Sequence, residues 1–415
     1  MSVRSELIRG VSWTALHSYA GAAFQLVVTS ILARIFSPEE FGLVALATVI
    51  IAFFNIFADM GLGAAIVQDK EAAKNPRMLN ALFSLTALFG CILTGGFCLA
   101  APLISQWYDA GETLTNVCYL LSIPLLLNIM STVPNALLRK ACRFRFIALR
   151  TLGMNVLGGV LAVTAALCGA GIYALVVAPI ITGVGSFALN YSQYPLRFGS
   201  GLKETRRLWS YSGFVVGFGF VNYFSRNLDK LLVSSYFSIA QMGFYHKAYS
   251  LMMFPMSKIT QVITPAMHPV LTTLQDDLRE MEKKYVRLII RLFGISLPIG
   301  LILALAADPI VHIVYGEQWD MTIPLFRILA LSLPLQMIQS TTGSVYLAAG
   351  CANWQFYNGI INTCVTATGF LLATFVVQTI TAVAWAWTIT QTINFFTSMF
   401  LLHRCLQRDS QMLDT

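Results

Sequence analysis

The chain has 415 residues, 57% of them hydrophobic and only 11% charged, with a mean hydropathy of +0.70. A soluble domain of ordinary composition is about a quarter charged, so a water-soluble globular protein is excluded and an all-α polytopic membrane protein is expected. The formal net charge of +8 comes from short basic clusters between apolar runs, which is an orientation signal and not a nucleic-acid surface.

Apolar runs of about 20 residues, the length needed to cross a bilayer, recur from Val11 to the C-terminus. Twelve spans are expected, near 11–36, 41–67, 78–105, 114–138, 146–168, 171–194, 209–236, 242–271, 286–307, 322–349, 353–377 and 380–402. The first follows only Arg4, Glu6 and Arg9 and lacks a small-residue cleavage site, so it reads as a retained span.

The charges between the spans test this division. Arg4 and Arg9 precede span one; Lys70, Lys74 and Arg77 follow span two. Arg139, Lys140, Arg143, Arg145 and Arg150 follow span four, and Arg197, Lys203, Arg206 and Arg207 follow span six. Arg279, Lys283, Lys284, Arg287 and Arg291 follow span eight, and Arg404 and Arg408 close the chain. The odd-numbered connections hold no Lys or Arg, only acids such as Glu39, Glu40, Asp109, Glu112, Glu317 and Asp320. Because basic residues stay on the cytoplasmic side, both termini are expected in the cytoplasm. No connection has room for a soluble catalytic domain. The eight cysteines are scattered, with neither metal-ligand spacing nor a disulfide framework, and read as apolar packing residues.

Two short matches suggest halves. Phe36-Ser37-Pro38-Glu39-Glu40-Phe41-Gly42 lies between spans one and two, and Phe237-Ser238-Ile239-Ala240-Gln241-Met242-Gly243 between spans seven and eight. Leu121-Ser122-Ile123-Pro124-Leu125 in span four recurs as Leu331-Ser332-Leu333-Pro334-Leu335 in span ten. Both preserve membrane orientation. The expected organisation is a six-helix lobe at 1–198, a cytoplasmic linker at 199–208 and a second six-helix lobe at 209–415, around a central cavity. Parallel repeats with a site between them suit an alternating-access transporter. Paired prolines in spans four, eight and ten (Pro124 and Pro134, Pro255 and Pro265, Pro324 and Pro334) each remove a backbone hydrogen bond and favour bending.

Six cations remain within the spans or at their outer edges: Arg34, Arg226, Lys230, Lys247, Lys258 and Arg327. Each costs on the order of 2.5–3.5 kcal/mol at the bilayer centre, so something must offset it. Arg226, Asp229 and Lys230 stand at i, i+3 and i+4 of span seven and share a helical face, which Asn222 extends by a turn. Lys247 and Lys258 are eleven residues apart, close to three turns of span eight, and point the same way. Asn55 and Asp59 make a smaller polar face on span two. One reading has Arg34, Lys247 and Arg327 snorkel to the interface, and Arg226, Asp229 and Lys230 form a self-neutralising pair that locks two helices. The other is a cationic cavity whose net positive charge suits an anion, since an Arg fork fits phosphate and Lys supplies a mobile charge. Asp229 and Asp59 are candidates to carry a coupling proton or sodium ion.

The run Leu32-Ala33-Arg34-Ile35-Phe36-Ser37-Pro38-Glu39-Glu40-Phe41-Gly42, continuing to Asp59-Met60-Gly61-Leu62-Gly63, resembles the N-terminal signature of Wzx-type polysaccharide flippases. These belong to the superfamily that also holds multidrug/toxin extruders and lipid II flippases. Arg226-Asn227-Leu228-Asp229-Lys230, with Gly243-Phe244-Tyr245 and Ala248, is similar to that family's seventh-to-eighth span region. Tyr315-Gly316-Glu317-Gln318-Trp319 and Tyr346-Leu347-Ala348-Ala349-Gly350 resemble the colanic and teichuronic acid branch. The resemblance runs over nearly the whole chain, although many members have fourteen spans.

The resemblance implies a bacterial inner-membrane protein that moves a polyprenyl-pyrophosphate-linked oligosaccharide outward for extracellular polysaccharide or lipopolysaccharide. It implies membrane lipids, a polysaccharide polymerase and chain-length proteins as partners, and neither cofactor, metal nor nucleic acid. The expected substrate-binding residues are Arg226, Lys230, Lys258, Lys247, Arg34 and Asn222, with Asp229 and Asp59 coupling or positioning. No residue is assigned to catalysis. The rivals are a cation-coupled multidrug or metabolite antiporter, a lipid II flippase, an enzyme of polysaccharide polymerisation and a scaffold. Bases outnumber acids here, against the first. An enzyme needs an external loop or a carboxylate pair for acid–base work, and a scaffold leaves the intramembrane charges unexplained.

Overall fold

The computed structural model describes residues 3–59, 61–68, 75–200, 219–220, 223–224, 226–272, 274–275 and 277–412. Side chains at 1–18, 58–60, 64, 258–259, 261–266, 268–270, 272, 352 and 408–415 lie outside that description. Every regular element among the described residues is helical. The chain divides into two compact units, Met1–Ser234 and Ser235–Thr415.

The first unit contains α1 (Val3–Ile35), α2 (Pro38–Asp59), α3 (Leu62–Gln68), α4 (Pro76–Trp107) and α5 (Gly111–Met130). It continues through α6 (Thr132–Lys140), α7 (Phe144–Leu167), α8 (Ala174–Gln193) and most of α9 (226–236). The second unit contains α10 (Ile239–Thr272), α11 (Leu278–Leu305), α12 (Ala307–Val314), α13 (Thr322–Leu331), α14 (Leu333–Ala348), α15 (Ala352–Leu372) and α16 (Ile380–Met412). Among the described residues seven helices are long and apolar enough to cross a membrane, and α13 with α14, bent by 50° at their junction, makes up to eight. At 33 residues α16 is long enough, but Thr388, Thr390, Gln391, Thr392 and Asn394 dilute its apolar centre. The chain is an all-α multi-pass membrane protein. The described parts of the expected spans fall on these helices; residue 60 of span two and residues 209–218, 221–222 and 225 of span seven lie outside the described residues.

The repeated Phe-Ser motif has a physical explanation. Ser37 N–H donates to Glu40 Oε2 at 2.8 Å, while Glu40 N–H donates to Ser37 Oγ at 3.3 Å. Ser238 and Gln241 repeat the exchange at 3.1 and 3.2 Å. Each is a capping box, which satisfies two otherwise orphaned donors at a helix start; one opens α2 and the other α10. Side-chain caps also open α4 and α11: Asn75 Oδ1 accepts from Met78 N–H at 3.1 Å, and Asp277 Oδ1 from Glu280 N–H at 2.9 Å.

Several expected spans are broken. Span two is α2 plus α3, separated at Gly61, whose φ of 69° glycine adopts without steric cost. Span four is α5 plus α6, interrupted at Ser131. The Leu-Ser-x-Pro-Leu match therefore has different outcomes in its two copies. In span ten the chain breaks at Ser332, and Pro334 opens the next helix, where its missing N–H costs nothing. In span four Pro124 sits inside α5, and Gly183 of α8 lies against it. A Cβ at Gly183 would fall 2.7 Å from Pro124 Cβ.

The cores sit where the helix ends converge. In the first unit Leu62, Ile66, Leu82, Val133 and Leu137 bury together. In the second, Met281, Tyr285, Val345, Tyr346, Leu402 and Leu406 do so. That second cluster includes Cys351 and Cys405, joined as a disulfide that ties the start of α15 to α16. This corrects the reading of all eight cysteines as unpaired packing residues: these two are 54 positions apart, and only the packing of α15 on α16 brings them together. Leu99, Leu103 and Trp107 stand exposed along α4, as a lipid-facing surface requires.

Candidate functional site

The helix α9 places Arg226, Asp229 and Lys230 within one turn, but in unlike settings. Arg226 is exposed, whereas Asp229 and Lys230 are 1% and 8% exposed. Lys230 Nζ donates back to the Arg226 carbonyl at 3.2 Å and to Asn227 Oδ1 at 3.4 Å. The lysine is thus anchored along its own helix, and the Arg226 guanidinium meets no carboxylate among the described residues. The three residues share a turn of the helix, and their side chains differ in exposure.

An aromatic group missed from the sequence surrounds the start of this segment. Phe53 of α2 meets Phe220, Tyr223 and Phe224 with ring centroids 5.5–6.3 Å apart, and Tyr223 donates its hydroxyl to the Val49 carbonyl at 3.0 Å. The spacing of Phe220, Tyr223 and Phe224 (i, i+3, i+4) was the available signal. It joins α2 to the segment that carries Arg226.

Lys247 of α10 neither snorkels nor stands open. It is buried, with Nζ 5.4 Å from the Tyr315 ring centroid and 5.9 Å from that of Trp319. Such stacking offsets part of a buried cation's desolvation. At the edge of the second unit, Arg327 pairs with Asp308 at 2.5 Å and His312 with Asp320 at 2.7 Å, so Arg327 is held by an acid. Arg34 is exposed in the last turn of α1. Asn222 and the side chains of Asp59 and Lys258 lie outside the described residues.

A second missed feature is an uncharged polar seam between α15 and α16. Ser398 Oγ donates to Asn358 Oδ1 at 3.0 Å, Asn362 Nδ2 donates to Ser398 Oγ at 3.3 Å, and Asn394 Nδ2 donates to Thr366 Oγ1 at 2.9 Å. The i, i+4, i+8 spacing of Asn358, Asn362 and Thr366 was its sequence signal. Interhelical hydrogen bonds of this kind hold membrane helices together. Among the described residues no group of His, Cys, Asp and Glu could hold a metal ion.

Long apolar helices, buried ionisable groups within them and broken helices define a polytopic membrane protein. Residues 31–324 match the polysaccharide biosynthesis protein family, and the chain belongs to it. It is similar to the teichuronic acid biosynthesis protein TuaB of Bacillus subtilis, 25% identical over 97% of this chain and 83% of that protein. It is also similar to the lipopolysaccharide biosynthesis protein WzxC of Escherichia coli, 24% identical over 88% and 74%. Among solved structures it shares its fold with the lipid II flippase MurJ in an inward closed conformation, with a TM-score of 0.74 and 15% identity, covering 93% of this chain and 86% of that one.

Proposed function

We propose that the protein carries a polyprenyl-pyrophosphate-linked oligosaccharide from the cytoplasmic to the outer face of the bacterial inner membrane, by alternating access. The family match across residues 31–324 carries the proposal, and the cations of α9 supply its chemistry. A pyrophosphate link needs positive charge at membrane depth, the sugar head needs an aqueous path, and the polyprenol tail stays in lipid.

Arg226, exposed and unpaired with any described carboxylate, takes the phosphate-facing role, for which a planar guanidinium fork is suited. Buried Asp229 and Lys230 position it or couple the cycle. Lys258 and Arg34 are further candidate cations for the substrate, Asn222 is a candidate polar contact, and Asp59 shares the coupling role. Lys247, held against two rings, takes a packing role within the second unit. Both termini face the cytoplasm, and the polymerase and chain-length proteins act on the delivered product at the outer face. The protein itself makes or breaks no covalent bond.

Purified protein in vesicles loaded on one face with a labelled polyprenyl-pyrophosphate oligosaccharide tests the proposal. Time-dependent exposure of the sugar to a glycosidase on the far face supports it. Exposure no faster than in protein-free vesicles overturns it.

A further inference from the structure

We propose that the end of the first unit formed by α6, α7 and α8 is a binding site for the phosphate group of a membrane lipid, held by Arg139, Arg143 and Arg150. From Thr113 to Lys203 the chain contains no Asp or Glu, and this stretch builds α6 to α8 and α5 beyond Glu112. Arg150 stands in the second turn of α7 and is not splayed outward. Its guanidinium donates to Asn190 of α8 and, at 3.4 Å, to Thr151 Oγ1, while its Nε is buried without a partner. Asn190 is itself fixed, donating to Ser131 Oγ at 2.7 Å. Arg143 reaches Gln193 Oε1 at 2.8 Å, and the Arg139 charge bears on Arg150.

The guanidiniums of Arg143 and Arg150 thus both reach neutral acceptors on α8, and Arg139 stands four residues before Arg143 in the last turn of α6. Among the described residues none of the three pairs with a carboxylate. The positive-inside bias accounts for exposed bases at helix ends; it does not account for a half-buried guanidinium oriented by two helices beside like charges. Like charges held together away from water repel, and a bound anion relieves that repulsion. The fork geometry selects phosphate, and basic recesses between membrane helices on the cytoplasmic side are where lipid phosphates bind. The bound phosphate comes either from a glycerophospholipid headgroup or from a polyprenyl pyrophosphate.

The test uses the full-length protein in detergent micelles and fluorescent phosphatidylglycerol, with diacylglycerol as the phosphate-free control. Wild-type protein binds the phospholipid and not diacylglycerol. The pair Arg139→Gln with Arg143→Gln, which leaves the Arg150–Asn190–Ser131 bridge intact, weakens binding roughly tenfold or more, about one factor of five per charge. Removing the same charge elsewhere, by Lys283→Gln with Arg287→Gln in α11, changes it less than about twofold. Arg150→Lys, which keeps the charge and loses the fork, weakens binding with an unchanged melting temperature. Equal weakening by the two double variants, or none by the first, overturns the site. Displacement of phosphatidylglycerol by geranylgeranyl pyrophosphate at lower concentration identifies the pyrophosphate as the occupant; resistance to it identifies the headgroup.

Discussion

At Arg226 the helix leaves a guanidinium exposed beside two buried ionisable groups, and the proposed division of roles, Arg226 for binding and its neighbours for position, rests on this contrast. Hydrogen bonds to charged groups contribute about 1.5–3 kcal/mol, so Arg226→Ala should lower polysaccharide export by about tenfold or more. Arg226→Lys, which keeps the charge, should lose less; polysaccharide yield normalised to the amount of membrane-inserted protein reads both. Equal and complete loss in the two variants would point to the fork geometry or to packing. Lys247 calls for a different experiment. Its stacking on Tyr315 predicts that Lys247→Met and Tyr315→Leu are non-additive in melting experiments, with a coupling of about 0.5–2 kcal/mol. Simple additivity would remove the cation–π contact from the account.

Among the elements, the capping boxes explain why a seven-residue motif recurs. Ser37→Ala and Ser238→Ala should each cost about 1 kcal/mol, measured as reduced thermal stability in detergent. Gly183→Val should cost about 1–3 kcal/mol by overpacking against Pro124, and the same substitution at Gly294, which meets nothing within 4 Å of a built Cβ, should be mild. Labelling of denatured protein purified without reductant should modify six cysteines, namely Cys91, Cys98, Cys118, Cys142, Cys168 and Cys364. Eight modified cysteines would dissolve the tie between α15 and α16.

What the sequence reveals and what it hides divide along physical lines. Apolar length is local, so α4, α7 and α11 are legible as runs. The start of α10 is legible because its cap is made by neighbours in sequence. Helix breaks are not: Ser122 and Ser332 sit in matching motifs, yet only Ser332 interrupts its helix, although a glycine packs against the proline in each copy. The same holds at the site. The i, i+3, i+4 spacing places Arg226, Asp229 and Lys230 on one turn, but burial depends on what packs there, and Lys247 finds its rings some 70 residues later in the chain. The Cys351–Cys405 pairing was hidden for the same reason.

For the whole molecule, basic residues confined to the even-numbered connections argue for cytoplasmic termini, and the family match argues for work on a lipid-linked glycan. The central claim is that this protein moves a finished unit and makes no covalent change to it. The measurement is fractionation of polyprenol-linked sugars from a strain lacking the protein, with enzymes added outside the inner membrane as the probe of sidedness. Complete oligosaccharide units, accumulating on lipid and protected from those enzymes, are the predicted result. Units that reach the outer face and remain unpolymerised would contradict the account and move the function to a later, enzymatic step.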